Sequence, residues 1–345
     1  MKIAVIGCGA VGSFYGAKLC RAGHDVHFLL RSDLDTVRAD GVKIESVDGD
    51  FAIRPVAAGN ATEIGVADAV FIALKTTANV EIPRLLPPLV GPETRVVTLQ
   101  NGLGSDELLA RLIPSRQVFG GLCFVCLNRI APGVIRHLAH GKVVLGPFEP
   151  SCHAAAAELV HTFQQAGVTC DLTRQLAQAR WEKLIWNIPF NGLGVAGTVG
   201  YENFISARVP PDAARSRCLP TNVLLDDPRW FAVVNALMNE VIGAANALGL
   251  PVPAQRADEN LHRTRIMGPY RASTLLDFET GLPLELDSIF LEPQHRARTA
   301  GFPTPWLDRL CTVLTGVSVQ RRPESPPSHG QGLPCTPTAG NNTRA

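Results

Sequence analysis

Apolar residues arrive in short runs through the first half of the chain. KIAVIG, HDVHFLLR, ADAVFIALK, TRVVTLQNG, RQVFGGLCFVCLNR and KVVLGP are rich in β-branched and aromatic positions and read as strands. SFYGAKLCRAG, between the first two, has a helical pattern, and the charged SDLDTVRADG follows the second. Strands alternating with helices predict a mostly parallel sheet built from βαβ units. PGVIRHLAHGKVVLG reads as a turn and hairpin at the edge of that sheet. From about Thr173 the period changes to that of helices: LAQARWEKLIWN, WFAVVNALMNEVIGAANALG and a segment around RASTLLDFETG. The last major helix is expected through SIFLEPQHRARTAG, kinked or restarted at Pro293. The pattern therefore predicts an α/β domain over residues 1–172 and an all-helical domain over 173–319. Residues 206–222, with three prolines, read as a surface loop. Residues 320–345, rich in Pro, Ser, Gly and Thr, are expected to form a disordered tail.

At 345 residues the chain suits two domains. Its formal net charge of +1 gives no support to nucleic-acid or membrane-surface binding. No apolar run reaches transmembrane length, and the opening MKIAVIG is too short an apolar run for a signal peptide. Nine scattered cysteines suggest reduced thiols and a cytoplasmic location.

Gly7-Cys8-Gly9-Ala10-Val11-Gly12 joins the first strand to the first helix. In G-x-G-x-x-G the first glycine permits the tight turn and the second lets the backbone approach a pyrophosphate. The third lets helix and strand pack closely, and the helix N-terminus favours the phosphates. This context makes the first domain a Rossmann-type dinucleotide-binding domain. The second strand ends in Leu-Leu-Arg31-Ser, without the acid that would hold a ribose 2′-hydroxyl. Arg31 suits a 2′-phosphate, so NADPH is expected over NADH. Lys75 and Asn101 stand where later strands emerge into loops, the edge at which open α/β sheets bind ligands. Lys75 is placed against the cofactor, and Asn101 against nicotinamide, ribose or substrate.

WEKLIWNIPFN, residues 181–191, has the apolar content of a buried helix, yet Lys183, Asn187 and Asn191 recur every four residues. Such a stripe faces either water or an internal ligand. Pro189, which lacks the N–H that would bond back toward Ile185, is expected to kink the helix and shift Asn191 off the line.

GCGAVGSFYG, ALKT, LQNGLGS, WEKLIWNIPFN, YRASTLLDFETGLPLELDSI and AGFPTPWLD occur in that order. This series resembles the ketopantoate reductase family, of the 6-phosphogluconate dehydrogenase-like superfamily, over about residues 1–315. The resemblance implies NADPH-dependent reduction of a 2-keto acid, 2-dehydropantoate foremost, in pantothenate biosynthesis. By position, Lys183 matches the family's catalytic lysine and Asn187 and Asn191 its companion asparagines. Asn101 and Ser273 match substrate contacts, and Glu285 a glutamate associated with the substrate's terminal hydroxyl. Lys75 and Arg31 match cofactor contacts. The chemistry suits these residue types, since an ammonium beside a keto group can stabilise and protonate the developing alkoxide. Burial lowers a lysine's pKa, and a carboxylate such as Glu285 would oppose that.

One departure touches the substrate. After Glu285-Leu-Asp287 the family commonly carries Asn-Gly, where this chain has Phe290 and Leu291, which leaves room for a different 2-keto acid. A second alternative is a non-catalytic NADPH-binding regulator, although a sensor has no need of the proton donor retained here. A homodimer is compatible with the large helical domain. No metal is expected: Cys123 and Cys126 alternate to opposite faces of a strand, and ten residues lie between that pair and the pair His137 and His140. Glu240 is assigned to the solvated face of an amphipathic helix, Trp181 and Trp186 to the core, and Cys8 to packing.

Overall fold

The structure, a computed structural model, describes residues 1–213 and 216–320. The expected tail, beyond Gln320, and two residues of the 206–222 loop lie outside the described residues. Ten strands form one sheet: β1 Lys2–Ile6, β2 Asp25–Leu29, β3 Val42–Ser46, β4 Phe51–Ile53, β5 Val56–Ala58, β6 Ala69–Ile72, β7 Arg95–Thr98, β8 Val118–Ala131, β9 Val134–Pro147 and β10 Cys170–Leu172. Around and between them run α1 Ala10–Arg21, α2 Leu34–Asp40, α3 Ala61–Ile64, α4 Ile82–Leu85, α5 Ser105–Leu112 and α6 His153–Gln165. The rest is helical: α7 Leu176–Ala196, α8 Tyr201–Ile205, α9 Thr221–Asp226, α10 Pro228–Ala247, α11 Gln255–Met267, α12 Ser273–Glu279, α13 Glu292–Thr299 and α14 Pro305–Gln320. No described helix is long and apolar enough to cross a membrane.

The strand order is β4-β3-β9-β8-β7-β6-β1-β2-β5, with β10 beside β9. All pairings are parallel except β3 with β4 and β8 with β9. The β8–β9 hairpin therefore lies inside the sheet, not at its edge as expected. The expectation failed because β3, β4 and β5, within residues 42–58, are short and weakly patterned, and β3 and β10 pair with β9. The helices α6, α11 and α14 also escaped the sequence reading as individual elements, although α14 falls within the expected helical region.

Alternation along β1 shows why the sheet needs cover on both sides. Ile3 and Val5 pack with Phe14 and Tyr15 of α1 and Phe163 of α6, while Ala4 and Ile6 pack with Ile64 of α3, Ile82 of α4 and Leu109 of α5. The third core belongs to the helices and surrounds α7, which is buried along most of its 21 residues. Glycine lets neighbours close on α7: a Cβ on Gly194 would lie 2.5 Å from Leu275. The helix continues through Pro189 without a break.

Glu240 requires a correction. It is buried, and its two carboxylate oxygens accept the backbone N–H groups of Trp306 and Leu307 at 2.9 Å each. It thus satisfies the first turn of α14, whose N–H groups have no partner within the helix. Burial raises its pKa against the opposing pull of those two bonds.

Candidate active site

The β1–α1 turn carries the three glycine roles in its geometry. Gly7 has φ 93°, and a Cβ there would lie 2.4 Å from the Leu74 backbone nitrogen. A Cβ on Gly12 would lie 2.3 Å from the Gly7 carbonyl oxygen. Around Gly9, by contrast, a Cβ would meet nothing within 4 Å. Gly9 precedes the first turn of α1, where no side chain caps the N–H groups. Open space over a glycine at an uncapped helix N-terminus suits a pyrophosphate. Ala10 and Val11 begin the helix, and Cys8 is half-buried with its thiol pKa driven up by burial.

Arg31 is exposed just beyond β2. The acid two residues on is spent elsewhere: Asp33 is buried and accepts from Arg129 Nε at 2.9 Å, Ser32 Oγ at 2.9 Å and Gly133 N–H at 3.2 Å. Burial works to raise the Asp33 pKa, but these bonds outweigh it and hold the carboxyl below its usual range. Asp33 is therefore engaged in tying α2 to the hairpin.

Lys183 projects from α7 toward the end of β7. Its Nζ donates to Asn101 Oδ1 at 2.7 Å and to the Cys123 carbonyl at 2.8 Å. Lys183 and Asn101 belong to a small cavity that Gln100, Gly102, Leu122, Arg180, Leu184 and Asn187 also line. Asn187 is buried, and its amide makes no hydrogen bond among the described residues, which leaves it for a ligand. Burial pulls the Lys183 pKa down from 10.5 to about 8; Arg180 adds to the fall, while Cys123 and Glu285 oppose it.

The Asn101 loop is clamped from two sides. Arg180 Nη1 donates to the Gln100 carbonyl at 3.2 Å, and its Nε and Nη2 hold the buried Asp106 carboxylate, Nη2 at 2.6 Å. Opposite, Leu103 N–H donates to the Ser288 carbonyl at 2.9 Å, and a Cβ on Gly102 would lie 2.3 Å from that same oxygen.

The remaining site residues cluster one step away. Glu285 is buried and accepts from Thr76 N–H at 2.7 Å and Thr76 Oγ1 at 3.0 Å. Lys75 reaches Asp277 at 2.6 Å and Glu285 at 3.5 Å. Burial opposes its charge, yet the two carboxylates prevail and raise its pKa. Asn191 is buried, and its Oδ1 accepts from Thr274 N–H at 3.2 Å, so it holds the start of α12. Ser273, the first residue of α12, is exposed beside it. The Phe290 departure is buried in the helical core, against the position a Cβ of Gly192 would occupy, 2.8 Å from its ring.

The structure thus gathers Lys183, Asn187 and Asn101 at one cavity and Glu285 and Lys75 beside Thr76. Arg180, Asp106, Asp277 and Ser288 had no role in the sequence reading, and Thr76 entered it only as part of the ALKT strand end. Arg180, one helical turn before Lys183, was the one with a readable signal.

The family described as ketopantoate reductase PanE/ApbA matches residues 3–150, and its C-terminal counterpart matches residues 213–318. The chain is 38% identical over 315 residues to the 2-dehydropantoate 2-reductase of Nostoc sp., covering 90% of this chain and 92% of that protein. It is similar to the crystal structure of 2-dehydropantoate 2-reductase from Geobacter metallireducens, with TM-score 0.83, 39% identity and coverage of 92% and 99%. D-mandelate dehydrogenase, in a structure with NADH and anilino(oxo)acetate, shares the fold alone, with TM-score 0.80, 17% identity and coverage of 93% and 99%.

Proposed function

The chain belongs to the ketopantoate reductase family, and on that premise we propose that it reduces 2-dehydropantoate to pantoate with NADPH. When bound, NADPH supplies the hydride for the keto carbon. The Gly7–Gly12 turn takes the pyrophosphate and Arg31 the 2′-phosphate, since Asp33 is already committed to Arg129. The single observation that carries the reading is Lys183 bonded to Asn101 at the cavity beyond β7.

With a pKa of about 8, Lys183 is about nine-tenths protonated at neutral pH. It therefore donates a proton to the keto oxygen as negative charge develops there. Asn101 and the Cys123 carbonyl aim the ammonium before transfer and keep the amine in place afterwards. The free amide of Asn187 and the hydroxyl of Ser273 bind the substrate's carboxylate end. Glu285, fixed by Thr76, takes the terminal hydroxyl and supports the charge on Lys183. Residues 1–172 bind the cofactor and 173–319 complete the substrate site. No disulfide joins the described cysteines, which supports placement in the cytoplasm.

The test is NADPH absorbance decay with a panel of 2-keto acids. Turnover of 2-dehydropantoate well above that of unrelated keto acids is expected, and equal turnover would refute the substrate. NADPH binding without turnover of any keto acid would instead indicate a regulator. Lys183→Ala is expected to lower the rate by orders of magnitude while NADPH still binds.

A further inference from the structure

The face of β8 that meets the helices is formed by alternate residues. A Cβ on Gly120 would lie 2.7 Å from Leu176 and 2.8 Å from Arg180. Leu122 is buried and lines the cavity with Lys183. Cys126 is buried against Tyr270, thiol to hydroxyl at 3.4 Å. Between Leu122 and Cys126, on the same face, Phe124 is 41% exposed. A lone exposed aromatic on an outer surface needs no explanation. This one lies where a strand face otherwise covered by helices opens to solvent, and its ring centroid is 5.3 Å from Lys183 Nζ.

We propose that Phe124 is a specificity-determining residue: its ring is the apolar wall against the branched carbon next to the keto group. This rests on the function proposed above and adds how the substrate's alkyl part is read. A keto oxygen bonded to Lys183 lies about 2.8 Å from Nζ, which puts the neighbouring carbon and its methyl groups within van der Waals reach of a ring centred 5.3 Å from the same atom. The polar groups of the site — Asn101, Asn187, Glu285 — recognise oxygens and cannot tell a dimethylated carbon from a bare one. Phe124 and Leu122 can, because each methyl buried against them is worth about fourfold in affinity. The wall thus selects 2-keto acids whose third carbon carries apolar branches. The competing explanation is that the ring serves only Lys183, through a cation–π contact.

The two explanations predict different measurements. kcat/KM is compared for 2-dehydropantoate and for its analogue without the two methyl groups, 4-hydroxy-2-oxobutanoate, in the wild type, Phe124→Ala and Phe124→Leu. The ratio of the two values is expected to fall about tenfold in Phe124→Ala, chiefly through KM for the dimethylated substrate. Phe124→Leu is expected to keep most of it. NADPH affinity, the control for folding, is expected to stay unchanged in both. A ratio unchanged in Phe124→Ala overturns the proposal, and a shifted pH profile with that unchanged ratio assigns the ring to Lys183 alone. Wild-type turnover of neither keto acid would overturn the proposed function and this inference together, whereas turnover with an unaltered ratio overturns only the inference.

Discussion

The lowered pKa of Lys183 has a consequence that a free lysine would not have. Reduction needs the ammonium form, so the rate is flat below the pKa and falls tenfold per pH unit above it. With a pKa of about 8, the protonated fraction drops from about nine-tenths at pH 7 to about one-tenth at pH 9. A lysine left at 10.5 would stay almost wholly protonated across that span. The fall from 10.5 to about 8 corresponds to about 3 kcal/mol disfavouring the buried charge. The assay is kcat/KM for 2-dehydropantoate against pH with NADPH, which reports the free enzyme. Oxidation of pantoate with NADP should mirror it, rising as pH passes the same value, because that direction needs the neutral amine. Since Glu285 favours the charged form, Glu285→Gln is expected to move the falling limb to lower pH, whatever it does to the maximal rate. Lys183→Arg, which stays protonated, is expected to remove the limb from whatever activity remains. A flat profile between pH 7 and about 9.5, or the same limb in Lys183→Arg, would refute the assignment of the proton to Lys183.

Other changes separate binding from folding. Gly9→Ala is expected to leave Tm unchanged, because nothing lies within 4 Å of the added carbon, while weakening NADPH by about tenfold or more in a fluorescence titration, as a charged-group contact is lost. Gly12→Ala sets its carbon 2.3 Å from a backbone carbonyl and is expected to cost about 1–3 kcal/mol in chemical denaturation. Arg31→Ala should lower the preference for NADPH over NADH by about 10–100-fold with little change in NADH kinetics, the expected loss of a charge-assisted phosphate contact; an unchanged preference would place the 2′-phosphate elsewhere. Asp106→Ala leaves Arg180 buried without its carboxylate and is expected to cost about 3–5 kcal/mol of stability, read by urea unfolding.

What could be read from sequence follows the range of the interactions. The Gly7–Gly12 turn is a local problem in backbone sterics, and residue spacing suffices to state it. The Lys183–Asn187 stripe is nearly as local, because helical periodicity puts residues four apart on one face. The same periodicity misled at Glu240, where the helix pattern is amphipathic but the docked N-terminus of α14 lies 66 residues further on. Asn191 fits the stripe too, yet its oxygen is engaged by Thr274 N–H, 83 residues away. The hairpin was misplaced because an edge is defined by the strands that fail to pair there, and the short β3 and β4 carry little pattern of their own.

Lys183, Asn187 and Asn101 could each be picked out along the chain, but the contacts that join Lys183 to its surroundings could not. The atoms that set the Lys183 environment come from Asn101, 82 residues before it, and the Cys123 carbonyl, 60 residues before it. The clamp on the Asn101 loop spans 74 residues, from Asp106 to Arg180. None of these separations has a period, so no window along the chain reveals them. They exist because Gly120 leaves no side chain between β8 and α7, letting Leu176 and Arg180 settle directly on the strand. A side chain at that one position would push α7 away from β8. Lys183 would then lose the Cys123 carbonyl and part of the burial that lowers its pKa. The acid strength of the lysine therefore depends on a glycine 63 residues away that packs against Leu176 and Arg180. Gly120→Val should accordingly raise the pH limb of whatever activity survives, toward the value of a solvated lysine.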